Sequence, residues 1–156
     1  MDRLYSPWRY GYVTSTSQPV DGCVFCGAVA ADPLVIARGV SAFVILNLYP
    51  YNSGHLMVVP ARHVASLAEL SADELAELMT LVQRAEIALT DVYRPQGINV
   101  GLNLGRAAGA GIADHLHIHL VPRWLGDTNF MPLIGEVKVL SEHLETTRAR
   151  LQSFFG

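Results

Sequence analysis

Residues 115–119 read His-Leu-His-Ile-His. Strict alternation of histidine with aliphatic residues predicts a half-buried β-strand, because successive side chains on a strand point to opposite faces. His115, His117 and His119 then share one face, and Leu116, Ile118 and Leu120 pack on the other. Packing explains one such histidine easily and three in register poorly. Imidazole acts near neutral pH as nucleophile, acid, base or metal ligand. The strand that fixes the fold here therefore also points to the chemistry.

The rest of the chain bounds what that chemistry serves. A length of 156 residues predicts a single domain, long enough to bury a core without staples. A hydrophobic fraction of 51% against 16% charged residues predicts a globular chain rather than a disordered one. A net charge of −3 and the lack of any Lys/Arg run exclude broad nucleic-acid binding. No apolar run is long enough to span a membrane, and Met-Asp-Arg-Leu-Tyr-Ser-Pro at the start does not read as a signal peptide, so a cytoplasmic location is expected. The two cysteines, Cys23 and Cys26, form one Cys-x-x-Cys. In a reducing compartment this reads as half a metal site or a redox pair rather than a structural disulfide, and the βαβ context of a thioredoxin-type pair is missing. His63 and one histidine of the 115–119 strand are candidates to complete a closed Cys₂His₂ site.

Along the chain, residues 1–22 read as an aromatic arm carrying Tyr5, Trp8, Tyr10 and Tyr12, and residues 23–156 as the domain proper. Strands are expected at Pro33–Ala37 and Ala42–Leu48 around a turn at Gly39, then at His55–Pro60, which Pro60 ends. Ser71-Ala-Asp-Glu74 is a capping box and predicts a helix to about Arg94, stopped by Pro95 and Gly97. Leu75, Leu78, Met79, Val82 and Leu89 form its expected core stripe. A strand is expected over Ile98–Leu104, a small-residue loop over Gly105–Gly111, and a second helix from Ser141 to about Phe154, with His143 on its exposed face.

Glycines let backbone amides approach an anion, so the loop Gly105-Arg-Ala-Ala-Gly-Ala-Gly111 running into the histidine strand suggests a phosphate held against imidazole, although such loops are often simple turns. Gly54-His55 opens a buried strand where a fourth imidazole can join the first three. Asn47 follows an apolar strand, where its amide either reads a ribose hydroxyl or caps a turn.

At these residues the chain resembles the histidine-triad (HIT) superfamily, whose signature His-φ-His-φ-His-φ-φ (φ apolar) stands here as His115-Leu-His-Ile-His-Leu-Val121. The resemblance continues through Asn47, Gly54-His55-Leu-Met-Val-Val-Pro60, Arg62-His63-Val64, Asn103-Leu-Gly105 and Pro122-Arg123-Trp124, and covers roughly residues 20–130. Within the superfamily it is closest to the fragile-histidine-triad branch. There Leu46-Asn-Leu-Tyr-Pro-Tyr, Asp127-Thr-Asn-Phe and the Trp8 arm resemble bacterial diadenosine tetraphosphate phosphorylases or hydrolases. The resemblance implies an α+β fold, with an antiparallel β-sheet, a long helix and a C-terminal helix, and commonly a homodimer. It implies nucleotidyl transfer through a covalent nucleotidyl-histidine, cleaving dinucleoside polyphosphates with phosphate or water as acceptor. His117 would be the nucleophile, and His119 and His55 would orient it and stabilise phosphoryl oxygens. Asn103 and the amides around Gly109, Gly111 and Ile112 would hold phosphate, Asn47 the ribose, and apolar residues of 34–45 the base. A structural zinc would sit on Cys23, Cys26, His63 and His115.

One departure stands out. Hydrolases of the branch usually carry a Gln four residues before the first histidine, where this chain has Gly111 in a loop one residue longer. A pocket without that side chain favours phosphate over water as acceptor. The rival readings are a phosphoramidase-like nucleotide hydrolase, a non-catalytic nucleotide-binding or signalling module, and a zinc hydrolase using the histidines as ligands. The C-terminal segment counts against the first, and the complete triad against the second.

Overall fold

The computed structural model describes residues 22–128 and 141–155. The aromatic arm and Asn129–Phe130 of the Asp127-Thr-Asn-Phe motif lie outside the described residues. Five strands, β1 (Val35–Arg38), β2 (Ala42–Leu46), β3 (Leu56–Pro60), β4 (Gly97–Leu102) and β5 (Ile118–Arg123), form one antiparallel sheet in the order β1-β2-β3-β5-β4. Three α-helices accompany it among the described residues: α1 (Val24–Ala31), α2 (Ala72–Tyr93) and α3 (Leu144–Phe155). The architecture is the expected α+β arrangement, with a long helix and a C-terminal one.

All five residues of β2 and of β3 are buried, because both faces of the sheet centre are covered. On one face, Val44, Leu46, Leu56 and Val58 join Leu116, Ile118 and Leu120 beneath α2 and Leu151 of α3. On the other, Phe43, Ile45, Met57 and Val59 pack with Phe25 and Ala28 of α1. Each fully buried aliphatic side chain contributes roughly 1.5–3 kcal/mol. The expected aliphatic face of the histidine segment is therefore the main core.

α2 starts at the predicted capping box. Ser71 Oγ accepts from the Glu74 amide, and the Glu74 carboxylate accepts from the Ser71 amide at 2.8 Å. It stops where Arg94 turns left-handed (φ 45°), one residue before Pro95. Its buried stripe is Leu78, Leu81, Val82, Ala85, Ala88 and Leu89. Leu75 and Met79, expected in that stripe, are 38% and 50% exposed. The two alanines let the helix approach the sheet on a face centred one position away from the large residues that drew the eye.

Three further boundaries differ from expectation. The ladder of β5 begins at Ile118, and His115–His117 precede it, because the Leu116 amide bonds the Val64 carbonyl (2.6 Å) instead of a strand neighbour. β4 ends at Leu102, where pairing with Ile118 ends. His143 precedes α3 rather than lying in it, and its carbonyl accepts from the Thr147 amide. Helix α1 was not expected at all: an eight-residue run of apolar and small residues has neither a capping side chain nor a polar face. Among the described residues no helix is long and apolar enough to cross a membrane.

Candidate active site and metal centre

Four imidazoles meet at the open edge of the second cluster. His55 ends the turn before β3, His119 lies on β5 opposite Met57 of β3, and His115 and His117 enter from the segment before β5. Gly54 seats His55. Its φ is +81°, and a Cβ there would lie 3.1–3.2 Å from Tyr93, Leu89 and Pro122, so backbone conformation and close packing both require glycine. The His117 and His119 rings lie 4.9 Å apart, and those of His55 and His119 5.1 Å apart.

Backbone groups fix which nitrogen of each ring carries hydrogen. His117 Nδ1–H donates to the His115 carbonyl (2.8 Å), which leaves Nε2 with its lone pair. Burial pushes the His117 pKa down, so the ring stays neutral. The Tyr51 amide donates to His55 Nδ1 (3.0 Å). His55 Nε2–H therefore donates to His119 Nδ1 (2.9 Å), and His119 presents Nε2–H outward from that pair. Asn47 is held by the Tyr49 amide on its Oδ1, and its Nδ2 lies 3.4 Å from His55 Nε2. Both of those nitrogens carry hydrogen, so the approach is a packing contact and leaves the amide free to donate elsewhere.

His115 is wholly buried, and its Nε2–H donates to the Pro60 carbonyl (2.9 Å). Burial pushes its pKa down as well. Its Nδ1 lone pair faces Cys23 Sγ at 3.2 Å and Cys26 Sγ at 3.6 Å, and His63 Nδ1 lies 3.4 Å from Cys26 Sγ. All four ligand atoms lie within 4.8 Å of one another, a group able to coordinate a metal ion. α1 supplies this cluster through Cys26. Its Phe25 ring packs on both His115 (5.4 Å) and His117 (5.1 Å). Sequence reasoning passed over Phe25, although its place inside the Cys-x-x-Cys was the available signal.

The remaining expected residues are placed less tightly. Asn103 walls an open cleft beside His119. Gly109 and Gly111 are exposed on their loop, Ile112 packs on the Phe25 cluster, and no described contact joins these three to the imidazoles. Val35, Phe43 and Ile45, from the expected base-binding stretch, are buried in that same cluster, with Leu34 half-buried at its margin.

The model for the HIT domain matches residues 31–124. The chain belongs to the HIT family. A HIT relative from Mycobacterium tuberculosis (strain ATCC 25618 / H37Rv), named AP-4-A phosphorylase, is 45% identical over 163 aligned positions, covering 97% of this chain and 83% of that protein. The adenosine 5'-monophosphoramidase of Schizosaccharomyces pombe is 34% identical over 103 positions, 65% of this chain and 74% of that one. Among solved HIT structures, a zinc-bound histidine triad family protein from Mycobacterium smegmatis superposes with a TM-score of 0.70 at 26% identity, covering 86% of this chain and 93% of that one. A hypothetical histidine triad nucleotide-binding protein from Sulfolobus tokodaii gives 0.71 at 27%, covering 85% and 91%.

Proposed function

We propose that this HIT protein cleaves dinucleoside polyphosphates of the diadenosine tetraphosphate kind by nucleotidyl transfer through His117. The observation that carries the reading is the tautomer of His117: a neutral ring, hydrogen-bonded through Nδ1–H to the main chain, with Nε2 unprotonated. Such a nitrogen attacks phosphorus without first losing a proton. The N–P bond forms, the P–O bond to the departing chain breaks, and the electron pair leaves on that oxygen. In this reading His119 Nε2–H donates to a phosphoryl oxygen, and His55 holds His119 in that tautomer. Asn47 offers its free amide to the ribose. The name of the 45% identical relative supports the substrate class.

Zinc is the ion we assign to Cys23, Cys26, His63 and His115. Tetrahedral zinc with thiolate and imidazole ligands places sulfur and nitrogen about 3.5 Å apart, and the three S···N separations of 3.2, 3.4 and 3.6 Å fit that donor set. The bound ion would tie α1 and the His63 segment to the start of the histidine segment, a structural role. The Pro60 carbonyl, by accepting from His115 Nε2–H, leaves Nδ1 to face the ion.

A product assay on diadenosine tetraphosphate, with and without inorganic phosphate, tests the reading. ADP and ATP formed only with phosphate mark a phosphorylase, and AMP and ATP formed regardless mark a hydrolase. An unchanged dinucleotide alongside rapid hydrolysis of an adenosine phosphoramidate would replace the proposal with phosphoramidase action.

A further inference from the structure

The Cys23 and Cys26 thiols are suited to a second chemistry besides ligation. Both are free, Cys26 is exposed and Cys23 half-buried, so a small oxidant reaches the pair from solvent. Cys23 caps α1, and its carbonyl accepts from the Gly27 amide (3.1 Å), which closes a helical turn over the two residues. Positions three apart on such a turn lie about 5 Å apart at Cα, within the span of a disulfide. The two sulfurs already share one cluster with the His63 and His115 nitrogens, all four atoms within 4.8 Å of one another. Cys23 itself has extended backbone (φ −80°, ψ 126°), and no capping side chain pins the helix start. It can therefore turn toward Cys26 without unwinding the helix.

The same turn touches the reacting segment. Phe25, between the two cysteines, is buried with its ring 5.4 Å from that of His115 and 5.1 Å from that of His117. His115 is tied in twice. Its Nδ1 faces both sulfurs, and its carbonyl accepts from His117 Nδ1–H. Sulfurs turned away from His115 leave a wholly buried nitrogen without its partner, which disfavours the position that residue now holds. Through Phe25 and the His115 main chain, the state of the two thiols reaches the His117 ring.

We propose that Cys23 and Cys26 form a redox modification site: a hydroperoxide oxidises the pair to a disulfide, which strips the metal centre of its two sulfur ligands and slackens the hold on His117. The inference rests on the metal assignment made above. The Cys26 thiolate attacks one peroxide oxygen, the O–O bond breaks, and hydroxide departs to leave a sulfenic acid on Cys26. The Cys23 thiolate then attacks the Cys26 sulfur. An S–S bond forms, the S–O bond breaks, and a second hydroxide departs. Two solvent protons convert both hydroxides to water. Each sulfur gives up one electron, and the peroxide takes both. Thiolate, not the neutral sulfur, is the metal ligand. Only His63 and His115 then remain, where a closed structural zinc site takes four ligands. No metal electron is involved, so reduction of the disulfide restores the donor set.

The test treats the reduced, zinc-loaded protein with a graded series of hydrogen peroxide. It follows zinc released to a metallochromic dye, free thiols by alkylation and intact mass, and turnover of diadenosine tetraphosphate. The proposal expects zinc release in step with the loss of both thiols and turnover lowered about tenfold or more, all reversed by dithiothreitol with added zinc. Reversal separates the disulfide from methionine sulfoxide and over-oxidised cysteine, which that reagent leaves unchanged. Zinc retained after both thiols have gone, thiols that survive excess peroxide, or a loss that dithiothreitol does not reverse overturns the redox site and leaves the metal centre standing. Zinc release with undiminished turnover overturns the link to His117. A reduced protein that binds no zinc overturns the metal assignment and the inference with it.

Discussion

His115 and His119 flank His117 at equal distance in sequence and are held by opposite means. His115 is wholly buried, and its free nitrogen faces two thiols in a cluster able to bind a metal. His119 faces the open cleft and is held through His55 by a backbone amide in the 47–55 turn. That turn is itself anchored. Asn52 donates both to the Pro122 carbonyl (3.0 Å) and to Asp127 (2.8 Å), and Asp127 is paired with Arg123 of β5. The closed flank fixes where His117 sits, and the open flank fixes the tautomer of His119 beside it. In the proposed reading one flank depends on an ion and the other on turn geometry, so perturbation should separate them.

The largest effect belongs to the residue both flanks serve. His117→Ala should lower turnover at least about 10⁴-fold, with nucleotide binding retained in calorimetry. Appreciable turnover in that variant would remove His117 as nucleophile and dissolve the comparison. Next comes the closed flank. Cys23→Ser should lose bound zinc by elemental analysis and lower unfolding stability by more than about 2 kcal/mol, with turnover reduced far less than in His117→Ala. The open flank should show the reverse: Asn52→Ala is expected to cut turnover about tenfold by misplacing the turn, with a smaller change in melting temperature. Its signature is a shift in the ¹⁵N resonances of His119 as its tautomer loses definition. If both variants lower rate and stability in the same proportion, the two flanks do not have separate roles.

The smallest expected effect belongs to the exposed start of α2, where Glu74 pairs with Arg62. Hydrogen bonds from Arg62, then from the Ser71 amide, hold the Glu74 carboxyl down at about 2. A carboxyl depressed on folding favours the folded state above its unfolded range near about 4.3 and loses that contribution as pH falls toward 2. Glu74→Gln should therefore flatten acid unfolding in that window only. A change in its stability at pH 7 alone, with an unaltered acid limb, would contradict the assignment.

The sequence made one side of this comparison easier to read than the other. Cys-x-x-Cys, His63 and His115 are residue types with a recognisable ligand pattern, and the aliphatic half of the histidine alternation named Leu116, Ile118 and Leu120 as core. Ser71 and Glu74 gave the start of α2 because a capping box is a local device. The anchoring of the open flank was not legible. It depends on an Asn52–Asp127 bond spanning 75 positions and on the amide of Tyr51, a main-chain donor that carries no sequence signal. The helix stripe was misplaced for a related reason. Ala85 and Ala88 carry little hydrophobic signal, yet they set how closely α2 approaches, and Leu75 and Met79 fall off the contact as a result.

The aim of three of the four imidazoles comes from main-chain atoms: the Pro60 carbonyl for His115, the His115 carbonyl for His117 and the Tyr51 amide for His55. A main-chain carbonyl is the same chemical group whatever residue occupies its position, and a main-chain amide is so for every residue except proline. Point substitutions at residues 51 and 60 can therefore accumulate without altering the acceptor or donor at work, provided the local backbone path survives. The chemistry is buffered against drift in its surroundings. What the hydrogen-bond network itself requires is the histidines and the bends that carry them.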